Sequence, residues 1–410
     1  MIKTIVLAAG EGKRMHPLTF TRPKVMLSIA NRPILEWNLL SAIDAGLKEF
    51  IFIVGYKSKM VKDYFGNGRQ WGVDIGYINQ GEVIGTAHAI GLAEKYVDEC
   101  IVLCGDTIFG KQDIKNIIKK QNSIGLVAVE DARDYGVVEL KGNNIIKIYE
   151  KMEKPFSNSI NAGIYHFNKR IFDFIKKTGK SIREEYEITD SINLSLKKEM
   201  MEGIFLNEWR DVVYPWDLLD VNKEKLEKID EKIEGIVEGN TTIKGNVIIG
   251  KNSVILSGSY IEGPVVIGSN CKIGPNCYIR PHTSIGDGCH IGNACEVKNS
   301  IVMTNSNIPH QNYVGDSVIG EHCNLGSGTK IANLRFDKRN INAILNGKKL
   351  DTNRKKLGVI MGDNVQAGIN SMINVGTMIG NNLFIGLGVM VEGEITSRSK
   401  PTLGAKPNIP

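Results

Sequence analysis

From Val237 onward an apolar residue recurs at every sixth position: Ile243, Ile249, Ile255, Ile261, Ile267, Ile273, Ile279, Ile285, Ile291, Val297 and Met303, without a miss. Glycine follows this position at Gly250, Gly268, Gly274, Gly286 and Gly292. A small or β-branched residue stands four places after it at Ser253, Ser259, Val265 and Thr283. A period of six fits neither the 3.6-residue helix nor the two-residue alternation of a flat strand. It describes a solenoid of short units, each burying its apolar face only against its neighbours. The phase slips after Met303, where an insertion is expected, and resumes at Ile319, Leu325 and Ile331. It breaks again for a long segment and returns at Met361, Ala367, Ile373, Ile379 and Ile385.

The pattern resembles the hexapeptide repeat of left-handed parallel β-helices, in which three hexads close one triangular coil. That implies 18 residues per coil. Arg280 and Lys298, 18 apart, should then stack on one corner as a phosphate site, or else as two solvated surface charges. Cys271, Cys277, Cys289, Cys295 and Cys323 take the small-residue slot. They read as core thiols, since disulfides belong to exported chains and no export signal is apparent. His310, in the segment PHQNYVGDSVIG, is expected in a loop beside the Arg280/Lys298 corner, where a neutral imidazole accepts a proton near pH 7.

The first half differs in kind. Apolar runs (IKTIVLA, EFIFIVG, CIVLCGD, SIGLVAV) alternate with helical stretches, which predicts an α/β domain, Rossmann-like, with a mixed, mostly parallel sheet and its site at the carboxyl ends of the strands. The first strand ends in LAAGEGKRM. Gly10 and Gly12 let backbone N–H groups approach a triphosphate, and Arg14 and Lys24 add positive charge. Asp106, ending CIVLCGD, is placed to ligate Mg²⁺.

LAAGEGKRM with TRPKVML resembles the signature of sugar-phosphate nucleotidyltransferases. PHQNYVGDSVIG with Asn324, Gly326, Gly328, Thr329 and Asn333 resembles the acetyltransferase domain of bifunctional N-acetylglucosamine-1-phosphate uridyltransferases. The resemblance covers nearly the whole chain. It implies nucleotide contacts at Leu7, Ala8, Ala9, Gly10, Gln80, Gly85 and Thr86, catalysis by Arg14 and Lys24, and sugar contacts at Gly136, Glu150 and Asn161. It makes His310 the general base. Arg280 and Lys298 would bind the sugar phosphate, Tyr313, Asn324 and Asn333 the amino sugar, and Gly386, Lys400 or Lys406 the coenzyme. His88 is assigned to packing. The second metal ligand is Asp211, with Asp217 and Asn222 as alternatives. Val83 stands where the bacterial enzymes carry a second glutamine, which relaxes the preference for UTP over dTTP.

The implied substrates are UTP, amino-sugar 1-phosphates and acetyl-CoA as cosubstrate, with Mg²⁺ as cofactor. The implied assembly is a homotrimer, or a dimer of trimers, built through the β-helix, with the basic segment from Arg335 to Lys356 reaching a neighbouring subunit. Domains are expected at 1–217 and 235–410, joined by a linker helix over 218–234. The formal charge of +6 is too mild and scattered for nucleic acid. The N-terminal apolar run is too short for a signal or a membrane span, so a cytoplasmic location is expected. Two rivals remain: a monofunctional nucleotidyltransferase of GDP-mannose, ADP-glucose or dTDP-glucose type with a structural β-helix, and a non-enzymatic exchange-factor subunit.

Overall fold

The computed structural model describes residues 2–396, and Lys400 and Lys406 lie outside them. The chain forms two compact units. The first takes residues 2–11, 23–26 and 33–211, the second 12–22, 27–32 and 212–396. This differs from the expected division at 217. The segments flanking Lys24 go to the second unit, and the first ends at Asp211.

The first unit is built on a nine-stranded mixed sheet. Its strands run Asp74–Asn79, Glu49–Val54, Lys3–Ala8 and Glu99–Cys104, all parallel. Ser159–Asn168 then pairs antiparallel to Glu99–Cys104. The parallel strands are continuous apolar runs because both faces are covered. Ile5, Ile53 and Val102 enter one core with Ala89 and Ile90 of the helix Thr86–Gly91. Val6, Phe52 and Leu103 enter the other with Leu35, Leu39 and Ala42 of the helix Ile34–Asp44.

The second unit contains three parallel sheets of nine, eight and eight strands, visited in turn by the chain. Each strand pairs with the one a coil later: Ile249 with Ile267, Ile255 with Ile273, Ile261 with Ile279. The period-six residues stack inside, and Ile249 through Ile291 are fully buried. At about 1.5–3 kcal/mol for each aliphatic side chain, this column is the main source of the unit's stability. Asparagines such as Asn252, Asn270, Asn364 and Asn382 turn corners with positive φ, a conformation their short polar side chains tolerate. All seven cysteines are free. The five in the coil are buried and donate to carbonyls of the next coil, as Cys277 does to Gly292 O at 2.7 Å.

Two expectations are corrected here. The residue stacked on Ile285 is Val302, not Met303, and Val297 is followed by Val314. No loop is inserted. The side from Val297 to Val302 has five residues instead of six, so a count of six overshoots by one. His310 therefore lies at the end of the strand Asn307–His310, opposite Asn293. Second, the helix spans Asp217–Leu226 rather than 218–234, and Lys232–Ile233 is already a strand of the coil. It is no free spacer, because Asn222 is fully buried and bonds Ala30 N, His282 O and Ser284 Oγ.

The long break after Ile331 is a real excursion, carrying the hairpin Asn342–Leu345/Lys348–Asp351. It folds onto its own coil: Ile341, Ala343 and Leu357 are buried, and Glu394 accepts from Asn346 N and Gly347 N. No helix among the described residues is long and apolar enough to cross a membrane.

Candidate active sites

In the first unit the carboxyl ends of the parallel strands converge. The Lys3–Ala8 strand leads into Ala9, whose carbonyl accepts from Tyr56 N. A side chain at Gly55 would stand 2.8 Å from Ala9 O, and one at Gly105 would stand 2.6 Å from Leu7 O. These two glycines let the neighbouring strand ends close on Leu7, Ala8 and Ala9. Gly10 has open space where a side chain would be. Gly12 and Arg14 belong to the second unit, where Gly12 has a φ of 73° and Arg14 lies exposed on the short turn Lys13–Met15.

Asp106 and Asp211 are brought together by strand pairing, since Thr107–Phe109 runs antiparallel to Trp209–Asp211. Lys24, buried, stands between them, 2.6 Å from Asp106 Oδ2 and 3.7 Å from Asp211 Oδ1. The alternatives for the second ligand are used elsewhere. Asp217 accepts from Val213 N and Tyr214 N, and Asn222 holds the contacts given above. Two carboxylates without a third protein ligand suit Mg²⁺, which takes few protein oxygens and completes its shell with phosphates and water. No cluster of three or more ligating side chains occurs among the described residues.

Gln80 is buried and donates to Gly85 O at 3.1 Å, with His88 Nδ1 3.4 Å away. His88 thus helps orient Gln80, beyond the packing expected of it. Gly85 has a φ of 119°, and a side chain there would meet Tyr186 O at 2.4 Å. Thr86 Oγ1 accepts from Ile188 N. Gly136 pairs with Glu150 across two strands, and a side chain at 136 would approach Glu150 Oε1 to 3.2 Å. Burial raises the Glu150 carboxyl above its usual range. Asn161 donates to Tyr165 and accepts from Gly163 N. Arg183, missed in the sequence, reaches Glu150 at 3.5 Å and Glu187 at 2.5 Å. Only its position beside the EYEITD run could have suggested it.

In the second unit, the coil has three corners. Arg280 and Lys298 do stack on one of them, with Lys298 one coil from Gly315. Each already has a carboxylate, however: Glu296 at 2.8 Å from Arg280 and Asp316 at 3.2 Å from Lys298. Mutual repulsion therefore does not by itself demand a phosphate. Tyr313 lies on the third sheet, and Asn333 donates to its hydroxyl at 3.2 Å. His310 is exposed at the opposite corner, between the second and third sheets. Asn324 sits on the second sheet, in register with Asn307. One chain therefore groups Lys298, Tyr313 and Asn333, and sets Asn324 on another side of the coil.

Gly386 lies on the His310 corner, three coils further on, through the successive bonds Gly328 N to His310 O, Asn370 N to Ser327 O and Gly388 N to Ile369 O. At about 4.8 Å per coil, that edge runs for roughly 15 Å. Ile369 and Leu387 are exposed along it. A further cavity of about 600 Å³ is bounded by Asp316, Tyr214, Asp351, Arg354, Lys355 and Lys356.

Residues 3–228 match the nucleotidyl transferase family, and residues 261–399 match the GMPPB C-terminal domain family. A curated protein of Methanocaldococcus jannaschii, "Bifunctional protein GlmU", is 43% identical over 398 residues, 96% of each chain. A "Bifunctional sugar-1-phosphate nucleotidylyltransferase/acetyltransferase" of Sulfurisphaera tokodaii is 42% identical over 96% of this chain and 98% of its own. A solved structure described as a glucose-1-phosphate thymidylyltransferase of Bacillus anthracis has a TM-score of 0.52 and 29% identity. It covers 57% of this chain and 98% of its own.

Proposed function

The chain belongs to the family of the bifunctional sugar-1-phosphate nucleotidylyltransferase/acetyltransferases, and from that premise we propose that it makes UDP-N-acetylglucosamine from glucosamine-1-phosphate in two steps. The observation that carries the reading is that each unit presents its own group of candidate residues: Asp106, Lys24 and Asp211 in one, the exposed His310 corner in the other.

In the first unit an anomeric phosphate oxygen attacks the α-phosphorus of UTP, and pyrophosphate leaves. Lys24 offsets the charge that builds on the phosphates, a role the family resemblance also gives to Arg14, and no covalent nucleophile is needed. Gly10 admits the triphosphate, while Gln80 and Gly85 face the base. Gly136, Glu150 and Asn161 face the sugar. Asp106 and Asp211 would hold Mg²⁺, which when bound supplies Lewis-acid stabilisation of the phosphoryl oxygens.

In the second unit the amine of glucosamine-1-phosphate attacks the thioester carbonyl of acetyl-CoA. His310 takes the amine's proton, and the thiol of coenzyme A leaves. The apolar edge from Gly386 to His310 suits the coenzyme arm. Lys298, Tyr313 and Asn333 would hold the sugar phosphate and the amino sugar, with Arg280 alongside. His310 and Asn324, which lie away from the Lys298 corner, complete such a site only from a second copy, which supports a trimer of left-handed coils. With these substrates the protein works in the cytoplasm.

The test incubates the protein with glucosamine-1-phosphate, acetyl-CoA, UTP and Mg²⁺, following thiol and pyrophosphate separately. His310→Ala should abolish thiol release and leave uridylyl transfer from N-acetylglucosamine-1-phosphate intact. Loss of both together counts against separate sites. The match of residues 261–399 to the GMPPB C-terminal domain favours one rival, a monofunctional nucleotidyltransferase whose coil is structural. That protein would release pyrophosphate and no thiol.

A further inference from the structure

We propose that Asp316 is the positioning residue of the acetyl-transfer site, fixing both the ammonium of Lys298 and the amide orientation of Asn333; this rests on the acetyltransferase reading above. Its carboxylate is 96% buried, yet receives three side-chain donors. Asn299 Nδ2 bonds Oδ1 at 2.6 Å, while Lys298 Nζ at 3.2 Å and Asn333 Nδ2 at 2.5 Å share Oδ2. The backbone is held as firmly. Asp316 N donates to Lys298 O, its carbonyl accepts from Gly358 N, and its φ is 50°. A side chain at the preceding Gly315 would stand 2.7 Å from both Asn333 Nδ2 and the Tyr313 hydroxyl, so glycine keeps the network compact.

The consequence follows from counting donors. An ammonium has three protons, of which Asp316 takes one, leaving Lys298 able to meet a phosphate. Asn333 spends both amide protons, one on Asp316 and one on the Tyr313 hydroxyl. Its carbonyl oxygen is thereby directed as an acceptor, the role needed to recognise the donor groups of an amino sugar. Without the carboxylate the amide can flip, since an asparagine's two ends are nearly the same shape.

Asp316→Asn keeps the volume and tolerates the positive φ, but removes the charge. It should raise the KM for glucosamine-1-phosphate about tenfold or more, as expected for losing hydrogen bonds to a charged group. The kcat of acetyl transfer, the KM for acetyl-CoA and uridylyl transfer should stay within about threefold. In a Lys298→Met background the same substitution should add much less, because residues in one network are not additive. An unchanged KM, or equal effects in both backgrounds, overturns the proposal. Should Asp316→Asn lower the melting temperature of the protein, Asn299→Gly serves instead. It frees only Oδ1, and should raise the same KM about threefold; no rise would overturn the positioning role. Wild-type protein that releases no thiol would overturn the acetyltransferase reading itself, and active wild type with an unaffected Asp316→Asn only the positioning role.

Discussion

The two units differ in how sequence distance becomes spatial distance. In the coil, partners are 17 or 18 residues apart along most of its length, as Ile273 is from Ile291 and Ile308 is from Ile291. In the nucleotidyltransferase unit the strand Glu202–Phe205 pairs with Ser123–Ala128 and touches Asn144–Glu150. The first arrangement repeats one rule, and its candidate site lies where that rule is departed from. The second has no repeat, and its candidate site lies where distant strand ends approach closely. Damage should therefore stay local in the coil and spread in the sheet unit.

The sharpest way to break the contrast is Lys24→Met. Removing the cation between Asp106 and Asp211 should lower uridylyl transfer by about a thousandfold, or about 4 kcal/mol, with acetyl transfer unchanged in steady-state assays. A matching fall in acetyl transfer would mean that the centres are not separate. Next comes Ile291→Ala, which empties a fully buried position and should cost about 2–5 kcal/mol. Calorimetry should show a lowered coil transition and an unshifted nucleotidyltransferase transition. One joint shift would erase the distinction.

Gly292→Ala is more selective. Its added carbon would sit 1.8 Å from Pro309 O, so the strand bearing His310 must move. Acetyl transfer should fall about tenfold or more, since small displacements of a catalytic group are costly. The smallest effect concerns the thiols. Burial pushes Cys277, Cys289 and Cys323 up to about 12. The fold favours their neutral form, so this contribution to stability is complete below the ordinary thiol pKa and is lost as pH rises through about 12. At pH 8 these thiols should resist alkylation in native protein and react after denaturation. Fast native reaction at any of them would show an open coil.

Legibility follows the same division. The stacked isoleucines and the core cysteines could be read because period six is a strong local constraint. The place of His310 could not, because one missing residue between Val297 and Val302 mimics an insertion when counted in sixes. The sequence favours Asp211 over Asp217 and Asn222, and strand pairing to Thr107–Phe109 sets it beside Asp106. The sequence could not show that Asp217 bonds Val213 N and Tyr214 N, or that Asn222 bonds His282 O and Ser284 Oγ. Arg183 carries no motif, and Asp316, though it lies within PHQNYVGDSVIG, is not singled out by it; the contacts of both come from partners far apart in the chain or around a corner.

Beyond its opening turn, the coil's irregularities all fall at one corner. From the first sheet to the second the count is four at the opening step, Ile233 to Val237, and six from Ile249 onward, as in Ile285 to Ile291, Val302 to Ile308 and Ile379 to Ile385; from second to third it is six throughout. From third to first it is six at Ile279 to Ile285, five at Val297 to Val302 and Val314 to Ile319, thirty at Ile331 to Met361 and four at Val391 to Ile395. Two corners act as fixed joints and the third as a socket, where chain can be removed or grafted without disturbing the stack. An engineer seeking to install a new loop, tag or recognition element in this scaffold would plug it in there, one coil at a time, and leave the other two edges alone.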